Sequence, residues 1–449
     1  MAIEITKELL ENVSNLIENK KDTALTDLFT GVHHADIAEV LDELDFEESL
    51  YIIRLLDSEK TSEILMDVDD DIREKVLKEL SAKEIAEEVD ELDTDDAADI
   101  IAELPEKRKK EVMQELEDEE HAKEIVELLR YDEDSAGGLM AKELVKVNEN
   151  WTVLQCVKEM RIQAEQVTRV HSIYVIDDSG KLKGRLSLKD LLMASTRSKI
   201  AEVYIPNVDF VHVTDEAEDV ANVMSKYDLE AIPVVDELGV LVGRITIDDI
   251  VDVIKEEAEK DYQLAAGITQ DVEADDSIFE LTRARLPWLF LGLLGGIGAF
   301  LIMGNFEHTF KENTILFFFT PLIAAMAGNV GVQSSAIIVQ GLANDDVKGS
   351  INKRLIKEMM LAALNGLLLA IVLFSFVWIY SGDFQKSLAI SLSLIVVIIV
   401  AGLIGTFIPL FLDKRGIDPA IATGPFITTS NDIFGILIYF TIAKLILGA

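Results

Sequence analysis

Thr423-Gly424-Pro425-Phe426-Ile427-Thr428-Thr429-Ser430-Asn431-Asp432 falls inside the last hydrophobic stretch of the chain, residues 421–447. A stretch of that length crosses a hydrocarbon core of about 30 Å, so the chain ends in a membrane. A carboxylate near the bilayer centre costs about 2.5–3.5 kcal/mol on insertion scales, and such a residue marks a functional site. On a helix Gly424, Thr428 and Asp432 stand at i, i+4 and i+8, nearly one stripe. At 1.5 Å per residue Asp432 lies about 16 Å from Ile421, close to the midplane. Pro425 removes a backbone donor and disturbs the turn before it, so carbonyls near Ile421 and Ala422 are expected to face a water-filled path. The nearest base along the span, Lys444, lies about 18 Å further on. With no fixed counter-charge at hand, the partner of Asp432 is expected to be a mobile cation.

Four more hydrophobic stretches precede this one, at about 286–304, 315–340, 357–380 and 387–412. The second carries Gly328-Asn329-Val330-Gly331-Val332-Gln333-Ser334-Ser335. Small polar residues are common packing groups between membrane helices, and Gly331, Ser334, Ser335, Ser430 and Asn431 are read that way. Arg283, Arg285, Lys348, Lys353, Arg354, Lys357, Lys414 and Arg415 fall on one side of the five spans, and Lys311 and Lys386 on the other. The richer side is cytosolic by the positive-inside rule. It also carries the first 282 residues, and an odd number of spans then puts the C-terminus outside the cell. The opening Met1-Ala2-Ile3-Glu4-Ile5-Thr6-Lys7 lacks the basic and apolar regions of a signal peptide, so insertion is expected to rest on the C-terminal spans.

Charge divides the chain in the same place. Of 82 acidic and 41 basic side chains, 9 and 11 lie from Arg283 onward; residues 1–282 hold 73 acids and 30 bases, net −43. That sign excludes a nucleic-acid partner and suits cation binding, although acidity alone also serves solubility. The single cysteine, Cys156, excludes an intramolecular disulfide and a Cys-rich zinc site. The six His and one Cys form no ligand or nucleophile spacing, so enzymatic activity is not expected.

Residues 1–134 read as helices, with apolar residues at spacings of three and four: Ile37, Val40, Leu41 and Leu44, then Ile85, Val89 and Leu92. A loose repeat, seen in 35–41, 82–88 and 96–101, predicts short helices stacked into a superhelix. Residues 135–256 alternate strand and helix and contain a duplication. Ser172-Ile173-Tyr174-Val175-Ile176-Asp177 with Gly184-Arg185-Leu186-Ser187-Leu188-Lys189-Asp190 recurs 59 positions later. The second copy reads Ala231-Ile232-Pro233-Val234-Val235-Asp236 with Gly243-Arg244-Ile245-Thr246-Ile247-Asp248-Asp249. The two copies resemble a tandem pair of CBS (cystathionine-β-synthase-type) domains, at 135–199 and 200–256. That resemblance implies a regulatory module whose Gly-x-x-Ser/Thr-x-x-Asp stretches can hold an adenosyl ligand such as ATP, here at Ser187, Asp190, Thr246 and Asp249. Many such pairs work without a nucleotide, and both readings stand.

Helical domain, CBS pair, acidic linker helix (257–284) and five-span domain (285–449) follow in an order that resembles the MgtE family of magnesium transporters and channels over essentially the full length. The matching stretches are Ala136-Gly137-Gly138-Leu139-Met140, Gly328-Asn329-Val330-Gly331 with Gln333, and Asp418-Pro419 through Pro425 to Asp432. The resemblance implies a homodimer in the plasma membrane with its pore between subunits, chiefly between the second and fifth spans. There Asp432 would bind a largely hydrated Mg²⁺ near the Thr428 carbonyl, with Gly424, Asp418 and Asn329 along the path. It also implies closure by cytosolic Mg²⁺ through the linker, or plug, helix. The matching sensor positions are Glu63, Asp95, Asp99, Gly138 (by its carbonyl), Glu216, Ser225 (by its carbonyl), Asp228, Asp249, Asp252, Glu257 and Asp261. Some members carry Asn where this chain has Val332 and Gly424, which loosens the expected selectivity. Others carry Glu at the position of Lys260, so one bridging ion is expected to be weaker or absent.

The physical chemistry agrees. Mg²⁺ sheds water reluctantly and is held by one or two carboxylates, which two facing Asp432 side chains would supply. A net charge of about −86 for two copies of residues 1–282 keeps acidic domains apart unless cations bridge them, because screening at cytosolic salt acts only beyond about 8 Å. The expected function is therefore Mg²⁺ uptake through a channel-like transporter that Mg²⁺ itself closes. Two rivals remain at this stage: the same architecture passing Co²⁺, Ni²⁺ or another dication, and a non-transporting membrane sensor of nucleotide or Mg²⁺. No Walker-type loop couples hydrolysis to the movement.

Overall fold

A computed structural model describes every residue except 1–3, 165–166, 168, 171, 270–271, 273–275, 308–310, 312, 344–346, 348–349, 423 and 449. Thr423 of the fifth span and Lys348 of the orientation count lie outside the described residues. The chain divides into two units, Met1–Ile254 and Lys255–Ala449.

The first unit opens with ten helices, α1–α10, from Lys7 to Leu128. Their starts follow local chemistry. Ser81 and Glu84 form a reciprocal capping box at the head of α7 (Ala82–Val89), with Glu84 N donating to Ser81 Oγ at 3.2 Å and Ser81 N to Glu84 Oε2 at 2.7 Å. Buried apolar residues stand just past the ends of several helices, as Val68, Leu80 and Leu104 do, and α3 (His34–Asp42), α5 (Ser58–Asp67), α7 and α9 (Glu106–Glu115) stack each on the next but one. The periodic residues Ile37, Val40, Leu41, Ile85 and Val89 are fully buried, while Leu44 packs at the edge of the core. The helical array expected from the repeat is present.

The duplicated region forms two small sheets. The first contains β1 (Val145–Asn148), β2 (Ile173–Ile176), β3 (Leu182–Leu186) and β4 (Ile205–Pro206); the second contains β5 (Val211–His212), β6 (Ala231–Val235) and β7 (Leu241–Thr246). In each sheet a parallel pair is followed by an antiparallel hairpin. Val175 faces Gly184 in one copy and Val234 faces Gly243 in the other, and both hairpins bulge just after that pair. The sequence offset of 59 thus reappears in the register. The copies also meet symmetrically: Lys181 bridges Val240, Leu182 N donates to Gly239 O at 3.1 Å, and Leu241 N donates to Gly180 O at 3.0 Å. Each copy adds helices: α11 (Val153–Gln163) and α12 (Leu188–Met193) in the first, α13 (Ala217–Tyr227) and the start of α14 (Ile247–Ala266) in the second. The expected linker helix (257–284) is corrected: α14 begins directly after β7, ten residues earlier, and ends at Ala266, and the rest of the expected range from Ile278 already belongs to the next helix.

The second unit holds the last turns of α14 and five apolar helices: span one (Ile278–Asn305), two (Thr314–Ala343), three (Ile351–Ser381), four (Phe384–Asp413) and five (Gly424–Leu447). Span four is the most buried of them, and span one the least. Close approach rests on glycine. A Cβ at Gly366 of span three would stand 3.3 Å from the Ile395 backbone of span four, and one at Gly435 of span five 3.1 Å from Ala327 of span two. Such small-residue contacts let membrane helices gain dispersion energy where no hydrophobic drive separates them from lipid.

One expectation is corrected here. Span five begins at Gly424, after a short turn at Pro419–Ala422 capped by Asp418, whose Oδ1 accepts from Ala420 N at 2.7 Å. Pro425 therefore occupies the first turn, where its missing N–H is no loss, and does not break a helix interior. Asp432 lies about 12 Å along span five from Gly424, at 1.5 Å per residue.

Candidate ion path and cation-sensing cluster

Span five is held on two sides by its own small and polar residues. Thr428 Cγ2 lies 3.3 Å from where a Cβ on Gly328 of span two would stand, and the Asn431 amide presses on the Cα of Gly331. Thr429 fills the notch left by Gly295 of span one, and Ile433 lies beside Gly298. The packing role expected for Gly331 and Asn431 is thus met. Asn431 is 1 % exposed, yet neither atom of its amide has a partner among the described residues.

Asp432 is half-buried, and among the described residues it makes no hydrogen bond and no ion pair. The expected stripe is partly engaged: the Thr428 hydroxyl donates to the Gly424 carbonyl at 3.0 Å, which leaves the Thr428 carbonyl and Asp432 for other work. Asn329 and Gln333, one turn apart on span two, are exposed at the surface of the single chain. A polar face left open within an apolar span calls for water or a second protein surface, since lipid cannot satisfy it.

Asp418 is not part of that stripe. It is exposed, precedes the helix, and shares its neighbourhood with Asp261 of α14. Partial burial, reinforced by the Asp418 charge, raises the Asp261 carboxyl above its usual range. The end of α14 also meets the start of span five. The Ala265 carbonyl sits against Gly424, and Pro425 sits against Gly267. Thr269 ties the same corner to span one by donating through its N and Oγ1 to the Ala284 carbonyl at 3.1 and 2.9 Å.

In the first unit the acidic groups converge at one place. Carboxylate oxygens of Asp93, Asp95 and Glu143 lie within 4.8 Å of one another. Glu143 is fixed by Thr94, whose N donates to both carboxylate oxygens at 3.2 Å and whose Oγ1 donates to Oε2 at 2.9 Å. Asp249 accepts from Thr246 N at 3.0 Å and Oγ1 at 2.8 Å. Desolvation, then the charges of Asp96 and Asp249, hold Asp95 well above the usual carboxylate range. Asp96 is pushed to about 8 by desolvation and then Asp249, and Asp99 to about 7 by desolvation and then Glu133. Asp249 is raised by desolvation against the pull of its Thr246 bonds. Crowded carboxylates of this kind are relieved by protons or by a hard cation with oxygen ligands.

The expected sensor residues are only partly gathered. Asp95, Asp99 and Asp249 share this cluster, and Glu63 contributes its charge to Asp96. Gly138 lies close to the backbone of Asp132 and Glu133, where no side chain would fit. Glu216, Ser225 and Asp228 are exposed at the two ends of α13, and Asp252 is exposed on α14. Glu257 is paired with Lys260 at 2.9 Å. Of the nucleotide positions, Thr246 and Asp249 are closed on each other, whereas Ser187 begins α12 without a side-chain cap.

Asp93, Asp96, Glu143 and Arg244 were not singled out from the sequence. The acidic run 90–99 signals the first two, but which of its carboxylates turn together depends on the helix start at Thr94. Arg244 is buried, with Nη2 3.2 Å from Asp93 Oδ2 and Nε donating to the Glu143 carbonyl. Its duplicate, Arg185, is exposed, so the repeat does not foretell it.

Residues 320–442 match a family described as divalent cation transporter (MgtE), residues 32–134 the MgtE intracellular N domain, and residues 136–197 and 200–256 the CBS domain. The magnesium transporter MgtE of Thermus thermophilus is 37% identical over 325 residues, 72% of this chain and 72% of that protein. That of Enterococcus faecalis is 37% identical over 322 residues, 72% and 71% of the two chains. A solved cytosolic domain of the Mg²⁺ channel MgtE in complex with ATP is 34% identical, with a TM-score of 0.51 over 54% of this chain and 99% of that one. The soluble part of a magnesium transporter is 29% identical, with a TM-score of 0.50 over 56% and 99%.

Proposed function

This chain belongs to the MgtE family of magnesium transporters, and from that premise we propose that it is a homodimeric, Mg²⁺-selective, channel-like route for magnesium uptake that cytosolic Mg²⁺ closes. The carrying observation is Asp432, a half-buried carboxylate in the fifth apolar helix without an ion pair among the described residues. Facing its counterpart in a second copy, it would attract a dication without stripping its water. Exposure of Asn329 and Gln333 supports a path between spans two and five that is completed by that copy. With the acidic domains in the cytosol and the C-terminus outside, a membrane potential of 100 mV supplies about 4.6 kcal/mol per inward dication, so no coupled reaction is needed.

The regulatory half of the reading rests on the Asp93, Asp95 and Glu143 oxygens and on their neighbours Asp96, Asp99 and Asp249. A cation bound there favours the arrangement in which the acidic groups lie together, and its loss favours separation. The end of α14, seated against Gly424 and Pro425, is the element through which that preference reaches span five. ATP is assigned to the CBS pair by likeness to the solved relative that holds it, at the open Ser187 and Asp190 copy in preference to the closed one.

The test is Mg²⁺ flux into liposomes by wild type and Asp432→Asn, with Mg²⁺ on the cytosolic side varied. A silent variant, and wild-type flux that falls as cytosolic Mg²⁺ rises, support both halves. Unchanged flux in Asp432→Asn removes the path. Equal flux of Co²⁺ or Ni²⁺ at equal activity removes the selectivity.

A further inference from the structure

Span three carries a second membrane carboxylate, Glu358, which lies about 11 Å along a helix that starts at Ile351. It is half-buried, and among the described residues it forms no ion pair. Its Oε1 accepts a hydrogen bond from Ser334 Oγ of span two at 2.6 Å. The same oxygen lies against Gly402 of span four, where a Cβ would stand only 2.9 Å away. Ser334 itself is 6 % exposed.

The surroundings show what this bond orients. Ser334 is three residues after Gly331, so both lie on one face of span two. The Gly331 carbonyl abuts Gly405, three residues after Gly402 on span four, and the Gly331 Cα seats the Asn431 amide beside Asp432. One turn of span two therefore meets spans three, four and five together. The glycine contacts are non-directional, and the Asn431 amide has no partner among the described residues. The Ser334–Glu358 bond is a directional contact in this stack, and Tyr439 Oη, which donates to the Leu316 carbonyl at 2.9 Å, is another on span two. A rotation of span two by one residue, about 100°, would break the Ser334–Glu358 bond and drive a side chain into Asn431.

We propose that Glu358 is a positioning residue for the ion path. By holding Ser334 it sets the rotation of span two, and with it both the outward face of Asn329 and Gln333 and the notch that seats Asn431. The inference rests on the Asp432 path. What it adds is that an acceptor, and not a charge, is needed at position 358.

Mg²⁺ flux by the full-length protein in liposomes tests it, at low cytosolic Mg²⁺ and equal amounts of monodisperse protein. Glu358→Ala and Ser334→Ala should each lower maximal flux about tenfold, the order expected for loss of one hydrogen bond to a charged group. The double variant should fall no further than either single one. Glu358→Gln still accepts from Ser334 and should recover wild-type flux, with the midpoint for closure by cytosolic Mg²⁺ unchanged. If Glu358→Ala cannot be purified, Ser334→Ala and Glu358→Gln carry the test. The inference is overturned by a Glu358→Gln variant as slow as Glu358→Ala, which would make position 358 a stop for the cation itself. Wild-type flux in Ser334→Ala, or additive losses in the double variant, overturn it equally. Flux surviving in Asp432→Asn defeats the path and this inference with it; a silent Asp432→Asn beside wild-type Glu358→Ala defeats this inference alone.

Discussion

Asn431 and Asp432 are adjacent in sequence, yet about 100° of helix separates their surroundings. Asn431 is locked against Gly331, and Asp432 is left without a partner among the described residues. In the acidic cluster of the first unit the reverse happens, and several carboxylates share one space. Folded Asp96 and Asp99, at about 8 and 7, keep protons that the unfolded chain releases near pH 4, and Asp95 and Asp249 shift the same way. The metal-free fold therefore binds more protons than the unfolded chain between about pH 4 and 8, and its stability falls as pH rises through that window. The expected outcome in EDTA is a Tm lower by about 5 °C at pH 8 than at pH 6, given that 1 kcal/mol shifts a domain of this size by about 2–4 °C. Release of the buried Cys156 thiol to a reactive dye reports the transition. Saturating Mg²⁺ should flatten the slope. Because the cation displaces protons, the midpoint for closure by Mg²⁺ should rise about tenfold per pH unit of acidification for each proton displaced. A midpoint independent of pH between 6 and 8 would show that these carboxylates do not hold the ion.

At the scale of elements, the informative join is between α14 and span five. Gly267 ends α14 in the left-handed region, φ +82°, and its Cα faces Pro425. A side chain there is strained twice, by its own backbone at about 1–2 kcal/mol and by the proline ring. Gly267→Ala should therefore loosen the seat of α14 on span five, and flux remaining at saturating cytosolic Mg²⁺ should rise about tenfold. Full closure in that variant would mean that this corner does not transmit the signal. The join was only half legible in the sequence. Pro425 marks an interruption, but the preceding residues Pro419–Ala422 form a separate turn held by Asp418, so the proline opens span five. Boundaries of this kind depend on which carbonyls find partners, and hydropathy does not record that.

For the whole molecule, a polar face stands open on an apolar span. Asn329 and Gln333 are exposed on an apolar helix. A second copy facing them predicts that Asn329→Cys, in a Cys156→Ser background, links two chains with a short bifunctional thiol reagent in membranes. A chain that stays monomeric under those conditions would place that face elsewhere. The 73 acids against 30 bases before Arg283 act at the same scale. Close approach of two such acidic portions would depend on bound cations, because fixed like charges repel within a Debye length of about 8 Å.

Periodicity, duplication and hydropathy alone determined the helical array, the paired α/β copies and the five apolar spans, because each is a pattern of near neighbours along the chain. The same holds for the isolation of Asp432, which follows from the absence of bases nearby in its span. Tertiary structure decided which acids act together. Asp93 and Asp95 stand together at the head of one helix, Glu143 comes from a segment about fifty residues later, and Arg244 reaches them from a strand about a hundred residues beyond that. It also decided that Glu358 meets Ser334 across two spans. Hydrogen bonds and charge crowding fall off within a few ångströms, so their outcome belongs to distances that only packing sets.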